Sequence, residues 1–219
     1  MTALAAASLV DAVRRTVDIE HGPDSVRLAS TLATTLAPAP VRLWPMLTDP
    51  ARLVQWYGPV TGDLQEGGSF RAPAAGGRIL EVEAPHSLRL TWEYEGREDA
   101  LRLRLDPVDD GSTALELVHV TEVDPEVFSR FGPGALAVGW DLALLGLAAY
   151  SRGWEDMCGR EVPLPTPTWL ASEEGAAFVR AWSIRWAAAS TAAGTDPDLA
   201  RAGEIATTAA YGGARPAAV

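Results

Sequence analysis

Side chains able to do acid–base, nucleophilic or metal chemistry are few in this chain and lie far apart. Histidine occurs only at His21, His86 and His119, with no spacing that suits a metal ion, so no metal site is expected. Cys158 is the lone cysteine, which rules out an intrachain disulfide and gives no sign of an oxidising compartment. His119 is the strongest candidate, because Leu115, Leu117 and His119 alternate on one strand face and the imidazole therefore points inward. There it could orient a ligand or serve as acid and base near neutral pH, and the competing reading is a core histidine bonded to a neighbour. No carboxylate is placed securely beside it by the pattern. Glu81 could be half-buried if its strand carries a bulge, but strict alternation with Leu80 and Val82 sends it to solvent.

Other motifs reduce to structure. Asp109-Asp110-Gly111 has the chemistry of a hairpin turn, not of a catalytic pair. Gly132-x-Gly134 lacks the third glycine and the strand–helix–strand setting of a nucleotide fingerprint, and no Gly-x-Ser-x-Gly elbow occurs. All 18 basic side chains are arginine, which removes lysine Schiff bases, pyridoxal phosphate linkage and phosphate-loop lysines; no cofactor is implied. What remains is aromatic. Trp56, Trp92 and Trp140, with Tyr57 and Tyr150, are either plain core or the walls of an apolar cavity that orients a ligand by its polar tips.

These residues need elements to hold them. Thr16–Glu20 and Val26–Leu32 alternate around the turn His21-Gly22-Pro23-Asp24, and Pro38-Ala39-Pro40 stops the second strand. Helical spacing follows in two short pieces that meet at Thr48-Asp49-Pro50, an N-cap with proline at the first helical position. Five strands are then expected at Ser69–Ala72, Arg78–Ala84, Ser87–Tyr94, Ala100–Asp106 and Thr113–Val123. Each has one apolar and one polar face, so together they form an antiparallel meander with one wet side. Leu136, Trp140, Leu144, Leu147 and Tyr150 recur at helical spacing over residues 135–157 and predict the helix that covers the apolar face.

The chain has 219 residues, of which 47% are apolar, enough for one core but short for two. The expected organisation is a lead-in at residues 1–13, an α+β domain at 14–160 and a proline-rich linker at 161–167. A helical extension at 168–212 and a disordered tail at 213–219 complete it. In the extension Phe178, Trp182 and Trp186 share one helical face, which must dock either on the protein's own core or against a second copy as a homodimer. The net charge of −11 without a basic stripe argues against nucleic acid and anionic membrane partners. The N-terminal segment lacks a basic region and is broken by Asp11, so a cytoplasmic location is expected.

The chain also resembles a known family. Trp44, Leu47-Thr48-Asp49-Pro50, Trp56-Tyr57-Gly58-Pro59-Val60, Gly62-Asp63-Leu64, Glu66-Gly67-Gly68 and Phe70 carry the first half of the resemblance. Gly77-x-Ile79-x-Glu81-Val82, Pro85, Leu88, Thr91-Trp92-Glu93, Gly111-x-Thr113-x-Leu115-x-Leu117-x-His119 and Gly139-Trp140 through Leu144 carry the second. In order and spacing, residues 14–155 look like the activator of heat-shock-protein ATPase-like branch of the START/SRPBCC superfamily. The extension looks like that of an actinobacterial subgroup, and Ala72-Pro73-Ala74-Ala75 departs from the more polar turn expected there. The resemblance implies the helix-grip fold, a curved antiparallel sheet wrapped around a long helix. Because one fold serves many activities, three functions stay open. The first is non-catalytic binding of a small apolar or aromatic ligand by Trp56, Tyr57, Trp92, His119, Trp140 and Leu144. The second is a polyketide cyclase- or aromatase-like enzyme using the same cavity with His119 as acid and base. The third is a co-chaperone-like protein-interaction module.

Overall fold

The computed structural model describes residues 9–73, 75–154 and 161–212. Cys158, the expected disordered tail at 213–219 and most of the lead-in lie outside the described residues. Eight strands form one antiparallel sheet: β1 (Val13–His21), β2 (Val26–Leu36), β3 (Thr61–Gly62), β4 (Ser69–Arg71), β5 (Gly76–Glu83), β6 (Ser87–Tyr94), β7 (Arg97–Asp109) and β8 (Ser112–Val123). Their order is β1-β2-β8-β7-β6-β5-β4-β3, so the expected meander lies beside the N-terminal hairpin, with β2 against β8. Two short helices, α1 (Pro40–Thr48) and α2 (Pro50–Leu53), bridge β2 to β3. Asp49 ends the first and caps the second, its Oδ1 accepting from Ala51 N at 2.9 Å.

Alternation sets the sheet's inner face. Leu28 and Leu32 on β2, Leu88, Leu90 and Trp92 on β6, Leu101 and Leu105 on β7, and Leu115 and Leu117 on β8 are all buried. β5 does carry the bulge on which a half-buried Glu81 would depend, between Ile79 and Glu81. The carboxylate nevertheless faces solvent and pairs with Arg89 across the strand at 2.6 Å. β4 packs closely on β5 because residue 77 is glycine: a Cβ there would stand 2.0 Å from Thr91 O and 2.8 Å from the Phe70 ring.

After β8 comes a helix absent from the sequence expectation, α3 (Pro125–Phe131), capped by Asp124 Oδ1 accepting from Glu126 N at 2.7 Å. The long helix α4 spans Gly134–Ser151 and ends earlier than expected, where Arg152 adopts a left-handed φ of 57°. The chain then turns tightly onto β2, since a Cβ on Gly153 would lie 2.5 Å from the Leu36 side chain. Trp154 is buried and donates from Nε1 to Thr34 Oγ1 at 3.0 Å.

The single apolar stripe expected for α4 is incomplete. Trp140, Leu144 and Leu147 are buried, but so are Ala137, Val138, Asp141, Leu145 and Ala148 around the rest of the helix. The reason lies in the C-terminal segment, α5 (Pro167–Leu170), α6 (Glu173–Ala192) and α7 (Pro197–Gly212). Helix α6 packs on α4 and β1, and α7 packs on α3 and α6. Phe178, Trp182 and Trp186 are buried inside this one chain at 0%, 2% and 0% exposure. Docking on the protein's own core thus accounts for the burial of all three rings that the sequence left between this core and a homodimer. Helix α4 is long and apolar enough to cross a membrane, but most of it is buried between sheet and extension, as befits a core helix.

Candidate functional site

Between the sheet and α4 lies a cavity of about 320 Å³. Helix α1 contributes Trp44, Leu47 and Thr48, and α2 with its exit contributes Leu53, Trp56, Tyr57 and Val60. The sheet supplies Phe70, Ile79, Leu88, Leu90, Trp92, Leu101, Leu103, Leu115 and Leu117, while α4 supplies Trp140, Ala143, Leu144 and Leu147. Lining residues that keep solvent exposure, among them Val60, Leu64, Ala72 and Val82, mark its mouth near β3, β4 and β5. The Ala72 departure from the family pattern therefore sits at that mouth and makes it apolar.

No lining side chain carries a formal charge. Thr48 Oγ1 is turned back onto Trp44 O at 2.9 Å, and Trp56 Nε1 donates to Met46 O at 3.0 Å. Burial pushes the Tyr57 phenol well above its ordinary pKa, so it stays neutral. The aromatic walls meet each other: Trp92 and Trp140 lie edge to face with centroids 5.0 Å apart, and Phe70 lies tilted against Trp92 at 5.9 Å. Five of the six expected ligand-binding residues, Trp56, Tyr57, Trp92, Trp140 and Leu144, therefore converge on one cavity.

His119 does not join them. Its inward direction is as the alternation indicated, but Trp140 stands against its ring at 5.5 Å and it is not part of the cavity wall. At 4% exposure its Nε2 lies 3.1 Å from Asp99 Oδ2, and Thr121 Oγ1 donates to Asp99 Oδ1 at 2.8 Å. This is the core histidine with a satisfied partner. The carboxylate the sequence reading failed to find is Asp99, which precedes the expected strand start at Ala100 but belongs to β7, where it shares a face with Leu101 and Leu105. His86 and His21 are elsewhere, the first bonded to Leu105 O through Nδ1 at 3.0 Å and the second edge-on to the Phe128 ring at 5.6 Å. Among the described residues no group of three histidine, cysteine or carboxylate side chains could hold a metal ion.

A second polar feature escaped the sequence reading entirely. Asp141, on α4 beside Trp140, has a fully buried side chain. Its Oδ1 accepts from Arg15 Nε at 2.9 Å and Nη2 at 2.6 Å, and its Oδ2 accepts from Trp186 Nε1 at 2.7 Å. Arg15 also donates from Nη1 to Val10 O and Val13 O at 2.9 and 2.7 Å. Burial raises the Asp141 carboxyl pKa, against the pull of the guanidinium and the indole N–H. A lone acid in an apolar helix was the available signal, since such a group needs a buried cation.

Comparison with known proteins agrees with this architecture. Residues 38–152 match the family model described as activator of Hsp90 ATPase homolog 1-like protein. No curated protein matches the chain in sequence. Among solved structures, CalU16 from Micromonospora echinospora is similar both in crystal form and in solution. The crystal structure gives a TM-score of 0.58 at 28% identity, over 82% of this chain and 99% of that one. The solution structure gives 0.60 at 30% identity, over 83% and 97%. Those shares exceed what residues 1–160 can supply, so the likeness runs into the helical extension. A protein of unknown function from Staphylococcus aureus shares the fold alone, with a TM-score of 0.50 at 13% identity over 60% of this chain and 97% of that one. By its fold, its matched segment and these relatives, the chain belongs to the activator of Hsp90 ATPase homolog 1-like family.

Proposed function

We propose that the protein binds a small, uncharged, apolar or aromatic molecule in the cavity between sheet and α4, without carrying out chemistry on it. The observation that supports this reading is the cavity itself, about 320 Å³ walled by aromatic and aliphatic side chains with no charge among them. Ligand pockets span roughly 300–1,000 Å³, so this one suits a compact molecule of a few rings better than a long lipid. Transfer of apolar surface from water supplies the affinity at about 25 cal/mol per Å², and the Trp92 and Trp140 rings add edge-to-face contacts. A ligand charge would lose its hydration with no partner in return. Acid–base catalysis by His119 has no support, because Trp140 and Asp99 hold that ring away from the cavity wall. The proposed setting is the cytoplasm.

The test uses two probes on one skeleton, N-phenyl-1-naphthylamine and its anionic sulfonate 8-anilinonaphthalene-1-sulfonate. The neutral probe is expected to bind saturably with enhanced fluorescence and the anion at least tenfold more weakly. In Ala143→Phe, where a ring fills space beside the lining residue Ala143, neutral-probe binding is expected to vanish while the unfolding midpoint moves little. Failure of the neutral probe to bind, or binding undiminished in Ala143→Phe, would overturn the reading.

A further inference from the structure

The buried Asp141 cluster lies about a quarter-turn of α4 away from the cavity-lining Trp140, and both of its partners come from outside the segment that matches the family. The matched residues are 38–152, whereas Arg15 is on β1 and Trp186 is on α6. Within α4 Asp141 is the only charged side chain, and it follows Trp140, which lines the cavity. Successive residues on a helix are about 100° apart, so the rotation that brings Asp141 to Arg15 and Trp186 is the one that turns Trp140, Leu144 and Leu147 to the cavity. Any roll of α4 large enough to move those side chains would pull the carboxylate off its donors. Leaving a buried charge unpaired is strongly unfavourable, so the cluster holds that rotation against the pull of a ligand or of thermal motion.

Burial in the extension has no such direction. Phe178 is fully buried between Trp169 at 5.2 Å and Trp182 at 5.4 Å, and it has no polar link to α4. Apolar contact of this kind holds α6 down without specifying how α4 is turned, since apolar burial is non-directional. The Trp186 N–H, at 2.7 Å from Asp141 Oδ2, is directional.

We infer that Asp141, gripped by Arg15 and Trp186, is a positioning residue for the cavity wall, and that the helical extension sets ligand affinity through this clamp. The inference rests on the binding reading above. It makes extension docking and ligand binding reciprocal: what one gains from the other, the other gains in turn.

The test compares Trp186→Phe with Phe178→Leu in the full chain, well below the unfolding midpoint of either variant. Trp186→Phe keeps a ring but removes the N–H, whereas Phe178→Leu reduces burial and leaves the clamp intact. Coupling between sites is typically about 5–150-fold, so Trp186→Phe is expected to weaken N-phenyl-1-naphthylamine binding at least fivefold. Phe178→Leu is expected to lower the unfolding midpoint yet change that affinity less than twofold. Equal shifts in the two variants, or a Trp186→Phe variant that loses stability alone, would overturn the inference. A second measurement does not depend on the probe: the Trp92 and Trp140 indole resonances in nitrogen–proton correlation spectra. Both should move in Trp186→Phe and stay in place in Phe178→Leu. If the wild type takes up no probe, the binding reading fails, and unmoved indole resonances in Trp186→Phe would separately overturn the positioning role.

Discussion

Helix α4 has two differently built sides. Toward the sheet, Trp140, Ala143, Leu144 and Leu147 border a cavity, and their contacts are aromatic and apolar. On the side that carries Asp141, the carboxylate is tied by three hydrogen bonds to Arg15 and Trp186, and Leu145, one turn further on, is 1% exposed. Cores are packed to near-crystalline density, so a cavity of this size on one side of a helix needs firm support on the other. The difference teaches that the extension is part of the core of this protein and not an appendage. It buries three aromatic rings, each contributing on the order of 2 kcal/mol, and supplies the directional bond that apolar packing lacks.

Removing the extension is the most severe way to break this contrast. Truncation after Pro163 strips α6 and α7 from the Asp141 side of α4 and takes Trp186 from Asp141. The loss is expected to reach about 5 kcal/mol or more, enough to consume most of a typical 5–15 kcal/mol stability. Urea unfolding and light scattering would read it as a collapsed transition or aggregation. A truncated chain that remains monomeric and equally stable would show that the cavity side stands alone.

A gentler pair sharpens the same contrast. Leu145→Ala, on the packed side, is expected to cost about 3–5 kcal/mol, since the deletion opens a new cavity. Leu144→Ala, beside the existing cavity, is expected to cost about 2 kcal/mol, near the transfer cost alone. Denaturant unfolding of both variants compares them directly, and equal losses would mean that the cavity side is packed as tightly as the Asp141 side.

The smallest effect is expected at the closed end of the sheet's inner face. His119→Ala leaves the buried Asp99 with one donor fewer but keeps the Thr121 hydroxyl on it, and is expected to cost about 1 kcal/mol. Its effect on neutral-probe affinity is expected to stay below twofold, because the imidazole is outside the cavity wall. A large affinity loss at unchanged stability, measured by probe titration beside thermal unfolding, would return His119 to the site.

Much of the site was legible before folding was considered, for a definite reason. Period-two alternation sent Trp92, Leu115, Leu117 and His119 to one face, and helical spacing put Trp140, Leu144 and Leu147 on one side of α4. Neither periodicity says how far apart two elements stand in space. Asp99 was missed because β7 begins at Arg97, before the apolar alternation makes a strand visible. Asp141 was missed because three apolar turns read as one stripe, while its partners lie 126 and 45 positions away in the chain.

By itself the sequence determined the helix-grip order of elements, the aromatic identity of the cavity wall and the need for the Phe178, Trp182 and Trp186 face to be covered. These follow from local periodicity, turn chemistry and the cost of leaving large rings in water. Only the tertiary structure decided which surface covers those rings, that His119 is held by Asp99 behind Trp140, and that a buried ion pair turns α4 toward the cavity. Those outcomes depend on distances between elements remote in the chain, and a buried polar group is decided by whichever partner the fold brings within about 3 Å.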